Sequence, residues 1–427
     1  MAQTLKFGNK TWATKVGSTL AYNDENGNYK PLPFAFTRST SATRVNKEGL
    51  IEVVTNDRPR IDYTDTSDGV LLLENAATNL VTYSEDFSNA AWNKGNLTVT
   101  ANQAISPYGS QTADKVTPDS ITNAIRLWNT QTTTATTYSL SFFVKYNGKQ
   151  YVQLLFGGNL NPTVYSNFDL INGTVTSGTG KIEDYGNGWY RISLTAVLNA
   201  ATDQVYLWSI DNANSSRGAT STGNGTDGYY IFGAMLEQNS VASSYIPTQG
   251  SASTRVAETA SGAGNSEVFN SEQGVLFADF NYENINPNWS GLGIMDSSAD
   301  RVIFAVQNNT QNFKVYLQSG GVVRWNPTVI IDVTKYQKVA VKYKSNDNAL
   351  WINGFEVASD NTVSIMPSGL HKLSYFGYGN LEPTYGKTKE IGYYDTILTD
   401  LELETLTSYK SWTSMVNELN LNIIYNG

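Results

Sequence analysis

Four dipeptides, Asn147-Gly148, Asn172-Gly173, Asn187-Gly188 and Asp227-Gly228, punctuate the stretch between residues 137 and 236. A two-residue hairpin turn needs positive φ at its central positions, which Asn or Asp followed by Gly reaches at the lowest cost. Between these corners the apolar residues alternate: Tyr138, Leu140, Phe142 and Val144 share one side of an extended stretch. Further strands are expected over residues 151–156, 165–169, 189–197, 204–210 and 229–236. Short antiparallel strands joined this closely bury one face each, and a second sheet must cover that face. The chain is therefore expected to be all-β, built as antiparallel sandwiches.

Composition supports this reading. Only 16% of residues are charged and 40% are hydrophobic, enough to bury a core in each of two or three domains over 427 residues. There is no cysteine, so disulfides, thiolate metal sites and cysteine nucleophiles are excluded. The single histidine, His371, makes a Ser-His-Asp triad an unpromising reading. A net charge of −9 argues against a nucleic-acid partner, which needs clustered Lys and Arg. No stretch reaches the roughly 20 apolar residues of a membrane span, so no membrane insertion is expected. Residues 1–22 lack the apolar centre of a secretory signal, and synthesis in the cytoplasm is expected.

Five regions are expected along the chain. Residues 1–75 read as a small N-terminal β segment for attachment, neutral in charge, with a turn at Asn26-Gly27 and with Arg38, Arg44, Arg58 and Arg60 prominent. Those arginines either tie the segment to its own carboxylates or form a docking surface. Residues 76–250 read as a jelly roll of about eight strands. Residues 251–270, rich in Ser, Ala, Gly and Asn, read as a linker. Residues 271–412 form a second sandwich, in which Thr399 and Glu402 stand at capping-box spacing. The last region, 413–427, is a tail carrying Leu419, Leu421, Ile423 and Ile424. The leads into the two sandwiches echo each other, as Ser39-Thr40-Ser41-Ala42-Thr43-Arg44-Val45 and Ser251-Ala252-Ser253-Thr254-Arg255-Val256.

Several motifs point to a family. Residues 36–45, Thr78-Asn79-Leu80-Val81-Thr82-Tyr83-Ser84-Glu85-Asp86-Phe87 with Trp92, Gly188-Trp189-Tyr190-Arg191, and Ala234-Met235-Leu236-Glu237 with Ser244-Tyr245-Ile246-Pro247-Thr248 resemble the carbohydrate-binding-module-like jelly rolls of bacteriophage virion proteins. That resemblance covers residues 35–256. The hairpin Lys338–Tyr343 to Leu350–Gly354 and the stretch Glu390–Thr399 resemble laminin-G-like, concanavalin-type domains. Together the resemblances imply a virion protein such as a tail fibre, receptor-binding protein or head fibre. They imply a homotrimer, bacterial surface polysaccharide as partner, and other virion proteins held by the N-terminal segment. Laminin-G-like domains also imply calcium at the sandwich rim, but Asp296 and Asp300 alone do not supply six or more oxygens. No cofactor is expected.

A glycan site needs flat apolar rings beside polar groups that hydrogen-bond hydroxyls. Arg126 and Trp128 share one face of a strand against Ile125 and Leu127. Tyr206 and Trp208, with Gln204, share a face against Val205 and Leu207, and Tyr151 and Gln153 fall together likewise. If these strands are neighbours, Arg126, Trp128, Tyr151, Gln153, Tyr206 and Trp208 line one groove; otherwise the rings complete a core. Trp289, Arg324, Trp325 and Tyr378 are weaker candidates in the second sandwich. Glycoside hydrolysis needs two carboxylates facing one cleft; Glu390 and Asp395 point to opposite sides of a strand, and Glu402 and Glu404 suit a helix start. The sequence is thus read as a non-enzymatic adhesin, with a structural decoration protein or a polysaccharide depolymerase as the alternatives.

Overall fold

The computed structural model describes residues 2–20, 32–283, 289–297, 299–307, 311–377, 383–419 and 421. It is almost wholly antiparallel β structure, arranged in two compact units. One unit comprises Thr40–Val54 and Ala76–Val256; the other comprises Met1–Ser39, Thr55–Asn75 and Ala257–Gly427.

The first unit is a sandwich of two six-stranded sheets. One sheet runs in the order Asn93–Gly95, Arg126–Thr133, Ala201–Ile210, Tyr151–Phe156, Tyr165–Asp169, Thr174–Gly178. The other runs Leu97–Ile105, Gln111–Pro118, Gly228–Glu237, Thr136–Asn147, Trp189–Leu198, Lys181–Asp184. Leu127, Val152, Leu154, Val205 and Leu207 from the first sheet meet Leu140, Phe142, Val144, Ile192 and Ile231 from the second in one buried core. The second sheet is covered on its outer side as well. There Ile51, Phe143, Trp189, Phe232, Met235, Tyr245 and Ile246 form a further buried cluster, and the Thr43 hydroxyl donates to the Tyr245 carbonyl. Burial on both sides explains why Gly228–Glu237 reads as a continuous apolar run. The outer face of the first sheet is covered only in part, where Leu155, Trp208 and Ile210 form a smaller buried cluster.

The Asn-Gly and Asp-Gly signals resolve into different structures. The connection from Asp184 to Trp189 turns through Gly186, Asn187 and Gly188, all at positive φ. Gly228 instead opens a strand without positive φ; a Cβ there would fall 1.9 Å from the Val116 carbonyl oxygen, so glycine is required by close approach.

The second unit packs an eight-stranded sheet on a six-stranded one. The larger contains Gln273–Phe280, Gln337–Lys344, Asn348–Ile352 and Gly386–Tyr394; the smaller contains Trp289–Met295, Arg301–Gln307 and Asn312–Ser319. Leu276, Val339, Val341, Leu350 and Ile391 face Leu292, Val302, Phe304, Val315 and Leu317 in its core. On the outer side of the larger sheet, helix Asp400–Thr407 buries Leu403 against Val275, Phe277 and Trp351. Thr399 and Glu402 form the capping box expected from their spacing.

The structure corrects the expected division at residue 75. Leu5–Gly8 and Val70–Leu73 both pair with Gly386–Tyr394, and Leu5, Phe7, Phe34, Phe36, Ile61 and Leu71 belong to the core of the second unit. Residues 40–54 belong to the first. Strands this short cannot bury their own apolar side chains, so each completes a larger sheet or cluster. The expected linker at 251–270 is also structured. Ser253–Arg255 pairs with Ala77–Asn79, Thr259–Ser261 pairs with Phe34–Thr37, and Val268 and Phe269 are core residues. The tail begins with helix Trp412–Leu419, which buries none of its residues. The Asn26-Gly27 turn, Tyr378, Ile423 and Ile424 lie outside the described residues.

Candidate functional site

Arg126, Trp128, Gln153, Tyr206 and Trp208 lie on three adjacent strands of the first sheet. Arg126 is opposite Trp208 and Trp128 opposite Tyr206, while Gln153 is opposite Trp208 and Leu155 opposite Tyr206. Alternation sends Ile125, Leu127, Val205 and Leu207 into the core and the polar and aromatic residues outward. The Arg126 guanidinium carbon lies 5.1 Å from the Trp128 ring centre and 5.0 Å from that of Trp208. Tyr206 stands 6.1 Å from Trp128 and 5.6 Å from Trp208, centre to centre. Gly95, opposite Arg126 on the edge strand, admits these side chains: a Cβ there would lie 3.1 Å from the Trp128 indole.

The six residues divide by burial. Arg126, Trp128, Tyr151 and Tyr206 are half-buried. Trp208 is only 6% exposed and Gln153 is 0% exposed, because residues 212–219 fold back over that part of the sheet. The fold-back is held by side chains beneath it. Gln153 Nε2 donates to the Ser216 carbonyl at 3.1 Å and its Oε1 accepts from Gly218 N–H at 2.7 Å. Asn167 Nδ2 donates to the carbonyls of Ala213 and Ser215 at 3.0 and 2.8 Å. Trp208 Nε1 donates to the Ala219 carbonyl at 2.8 Å. Trp208 and Gln153 therefore build the wall of the site, and Trp128, Tyr206 and Arg126 form its floor.

Two contributors were not singled out in the sequence. Arg217, on the wall, donates to the carbonyls of Phe156 and Asn161, and Tyr165 joins the same aromatic cluster. The Asn- and Ser-rich stretch before Arg217 marks a loop, but nothing local says where it folds. Burial pushes the Tyr206 phenol up from its ordinary value; Arg126 and Arg217 pull it down while Asp203 adds to the rise. Both guanidiniums thus act on the same hydroxyl, which donates to Gln204 Oε1 at 3.0 Å.

Trp325, Arg324 and the two rim aspartates have structural partners in the second unit. Trp325 is a core residue of the second unit, Arg324 donates to the Ser319 carbonyl, and Trp289 is described only as the first residue of its strand. Asp300 accepts from Gly320 N–H and from the backbone and hydroxyl of Ser368, while Asp296 pairs with His371 at 3.2 Å. Among the described residues no group of three or more His, Cys, Asp or Glu is placed to hold a metal ion. A cavity of about 340 Å³ in the second unit is lined by Lys10, Asp68, Asp279, Lys338, Lys389 and Glu418. These six form ion pairs with one another.

No protein-family model and no curated protein matches the chain. Among solved structures it is similar to the Ruminococcus gnavus IT-sialidase CBM40, with 16% identity, 35% of this chain and 94% of that chain covered, and a TM-score of 0.30. A Bacteroides ovatus protein proposed to bind carbohydrate matches with 11% identity over 68% of this chain and 80% of its own, at a TM-score of 0.27. Trypanosoma rangeli sialidase matches with 12% identity over 91% of this chain and 65% of its own, at 0.29. Likenesses this distant carry no function across to this chain.

Proposed function

We propose that the protein is a non-catalytic glycan-binding protein, and that the glycan lies on the outer face of the first sheet over Trp128 and Tyr206. The observation that carries this reading is a pair of half-exposed rings, side by side with an arginine, on an outer face of the sandwich that other segments cover only in part. Sugar rings stack on such faces while hydroxyls bond the surrounding polar groups. The carboxylate that acts on Tyr206, Asp203, accepts from the backbone N–H groups of Asn159 and Gln204. It therefore serves the loop rather than a hydrolytic pair, which supports binding without cleavage.

The sequence resemblance supports a finer reading: an adhesin of a bacteriophage virion, as tail fibre, receptor-binding protein or head fibre, that engages bacterial surface polysaccharide. A homotrimer belongs to that reading, since multivalency turns weak single-site binding into useful avidity. The test is binding of labelled protein to a panel of bacterial cells and their extracted polysaccharides, compared with Trp128→Ala. The reading expects saturable binding without shortening of the polymer, lost in the variant while its melting temperature is kept. Equal binding by Trp128→Ala would sink it, and light scattering that gives a monomer at micromolar concentration would sink the trimer.

A further inference from the structure

We infer that the second unit carries a binding site of its own, for a neutral sugar residue held through its hydroxyls, in the cavity between helix Trp412–Leu419 and the outer side of the larger sheet. The site is separate from the aromatic platform of the first unit and goes beyond the reading above.

The first observation is how the cavity is built. Its volume is about 340 Å³, within the range of about 300–1,000 Å³ of small-ligand pockets. Asp279 continues the alternation of Val275 and Phe277 to the outer side of the sheet. Lys338 is opposite it on one neighbouring strand and Glu390 on the other. The pairing with Gly386–Tyr394 slips at this point: Asp279 faces Glu390 but Phe280 faces Thr388, so Lys389 is an extra residue. Such a bulge re-aims side chains, and here Lys389 and Glu390, consecutive in the strand, both line the cavity. Ser414 and Glu418 supply the wall on the helix.

The second observation is unmet hydrogen bonding. Among the described residues only two buried carboxylate oxygens lack a hydrogen-bond partner, Asp279 Oδ1 and Glu418 Oε2, and both side chains line this cavity. The Lys389 ammonium stands 2.9 Å from the second. Asp279 is 3% exposed and its other oxygen takes the Lys338 ammonium, so Oδ1 is an acceptor without a donor. A ligand that brings a donor to a buried acceptor in that state is stabilised by it.

The third observation is the balance of charge. Four lysines and four carboxylates line the cavity. Each carboxylate is already in an ion pair: Asp68 with Lys10, Asp279 with Lys338, Glu418 with Lys389, and Glu390 with Lys6. An ionised ligand would therefore meet like charge beside every opposite one. A hydroxyl carries no net charge and both donates and accepts. Neighbouring hydroxyls of a sugar ring can donate to Asp279 Oδ1 and accept from a lysine ammonium, in bonds strengthened by the charge on the protein. Among the described residues no aromatic ring lines the cavity, so recognition rests on hydroxyls and not on stacking.

The experiment titrates purified full-length protein calorimetrically with the methyl glycosides of glucose, galactose, mannose and N-acetylglucosamine, and with galacturonate and cadaverine as an anion and a cation. The expected result is saturable binding of at least one neutral glycoside, unchanged in Trp128→Ala and at least about tenfold weaker in Asp279→Asn and in Ser414→Trp. Asp279→Asn removes the charge beside Lys338 and is expected to lower the melting temperature. Ser414→Trp fills the cavity from a helix that buries none of its own residues, so its melting temperature should be kept and its effect read on binding alone. Equal affinity in the wild type and Ser414→Trp overturns the inference, as does binding to none of the neutral glycosides. Tighter binding of galacturonate or cadaverine overturns the neutral ligand. Binding lost in Trp128→Ala and kept in Ser414→Trp overturns this site and leaves the platform of the first unit standing.

Discussion

Arg126 and Trp208 face each other across neighbouring strands, the guanidinium carbon 5.0 Å from the indole centre. One of the two is half-exposed and the other buried, so their substitutions should have different consequences. Under the proposed function, loss of Arg126 is expected to act on ligand binding. Loss of Trp208 acts on the protein.

Trp208→Ala removes a buried ring and the bond that holds Ala219, and is expected to cost about 3–5 kcal/mol of stability. Gln153→Leu leaves the Ser216 carbonyl and Gly218 N–H without their partner, at about 1–3 kcal/mol. Both variants should be cleaved faster by protease within residues 212–219 than the wild type. Denaturant melting and mapping of the cut sites check this; cleavage elsewhere first would mean that the fold-back does not depend on these bonds.

Glu258→Gln is expected to destabilise the second unit by about 3–5 kcal/mol, because it strips a fully buried carboxylate from two fully buried arginines. Arg44→Gln, at a partly exposed pair, should cost no more than about 1 kcal/mol. Calorimetry that follows the two units' transitions distinguishes the cases, and similar shifts in both variants would refute the distinction.

Burial raises the Glu85 carboxyl above its ordinary value of 4.5, against the donation it receives from the Tyr245 hydroxyl. A carboxyl raised in the folded state binds its proton more tightly there than in the unfolded chain. Its stabilising contribution is full below pH 4.5 and is lost as pH rises through the folded value. Glu85→Gln should therefore lose less melting temperature than the wild type between about pH 4 and about pH 7. Parallel pH curves for the two proteins would show that Glu85 is not the titrating group.

Phe7→Ala should destabilise the unit that contains residues 257–427 by about 3–5 kcal/mol, although it lies far away in sequence. Phe7 is buried in that core, 4.4 Å from Phe34 between ring centres. An unchanged calorimetric transition for that unit would contradict the assignment of the N-terminal strands to it.

What the sequence by itself determined is local: the two-residue alternation that marks strands, the Thr399–Glu402 cap, and the shared faces of Arg126 with Trp128 and of Tyr206 with Trp208. These depend on the pleat and on hydrogen bonds within a few residues, so they can be read from spacing alone. The tertiary structure decided the rest. It set Arg126 opposite Trp208 across about 80 residues of chain, laid residues 212–219 over Gln153 and Trp208, and tied Arg217 to the Phe156 and Asn161 carbonyls. It also gave Leu5–Gly8 and Val70–Leu73 to the C-terminal sandwich and Ala42–Val45 to the other unit. Strand pairing and burial are contests among all the strands for a limited set of edges and faces, settled by the total apolar area removed from water. A single strand's pattern says which side faces inward and nothing about which neighbour covers the other side.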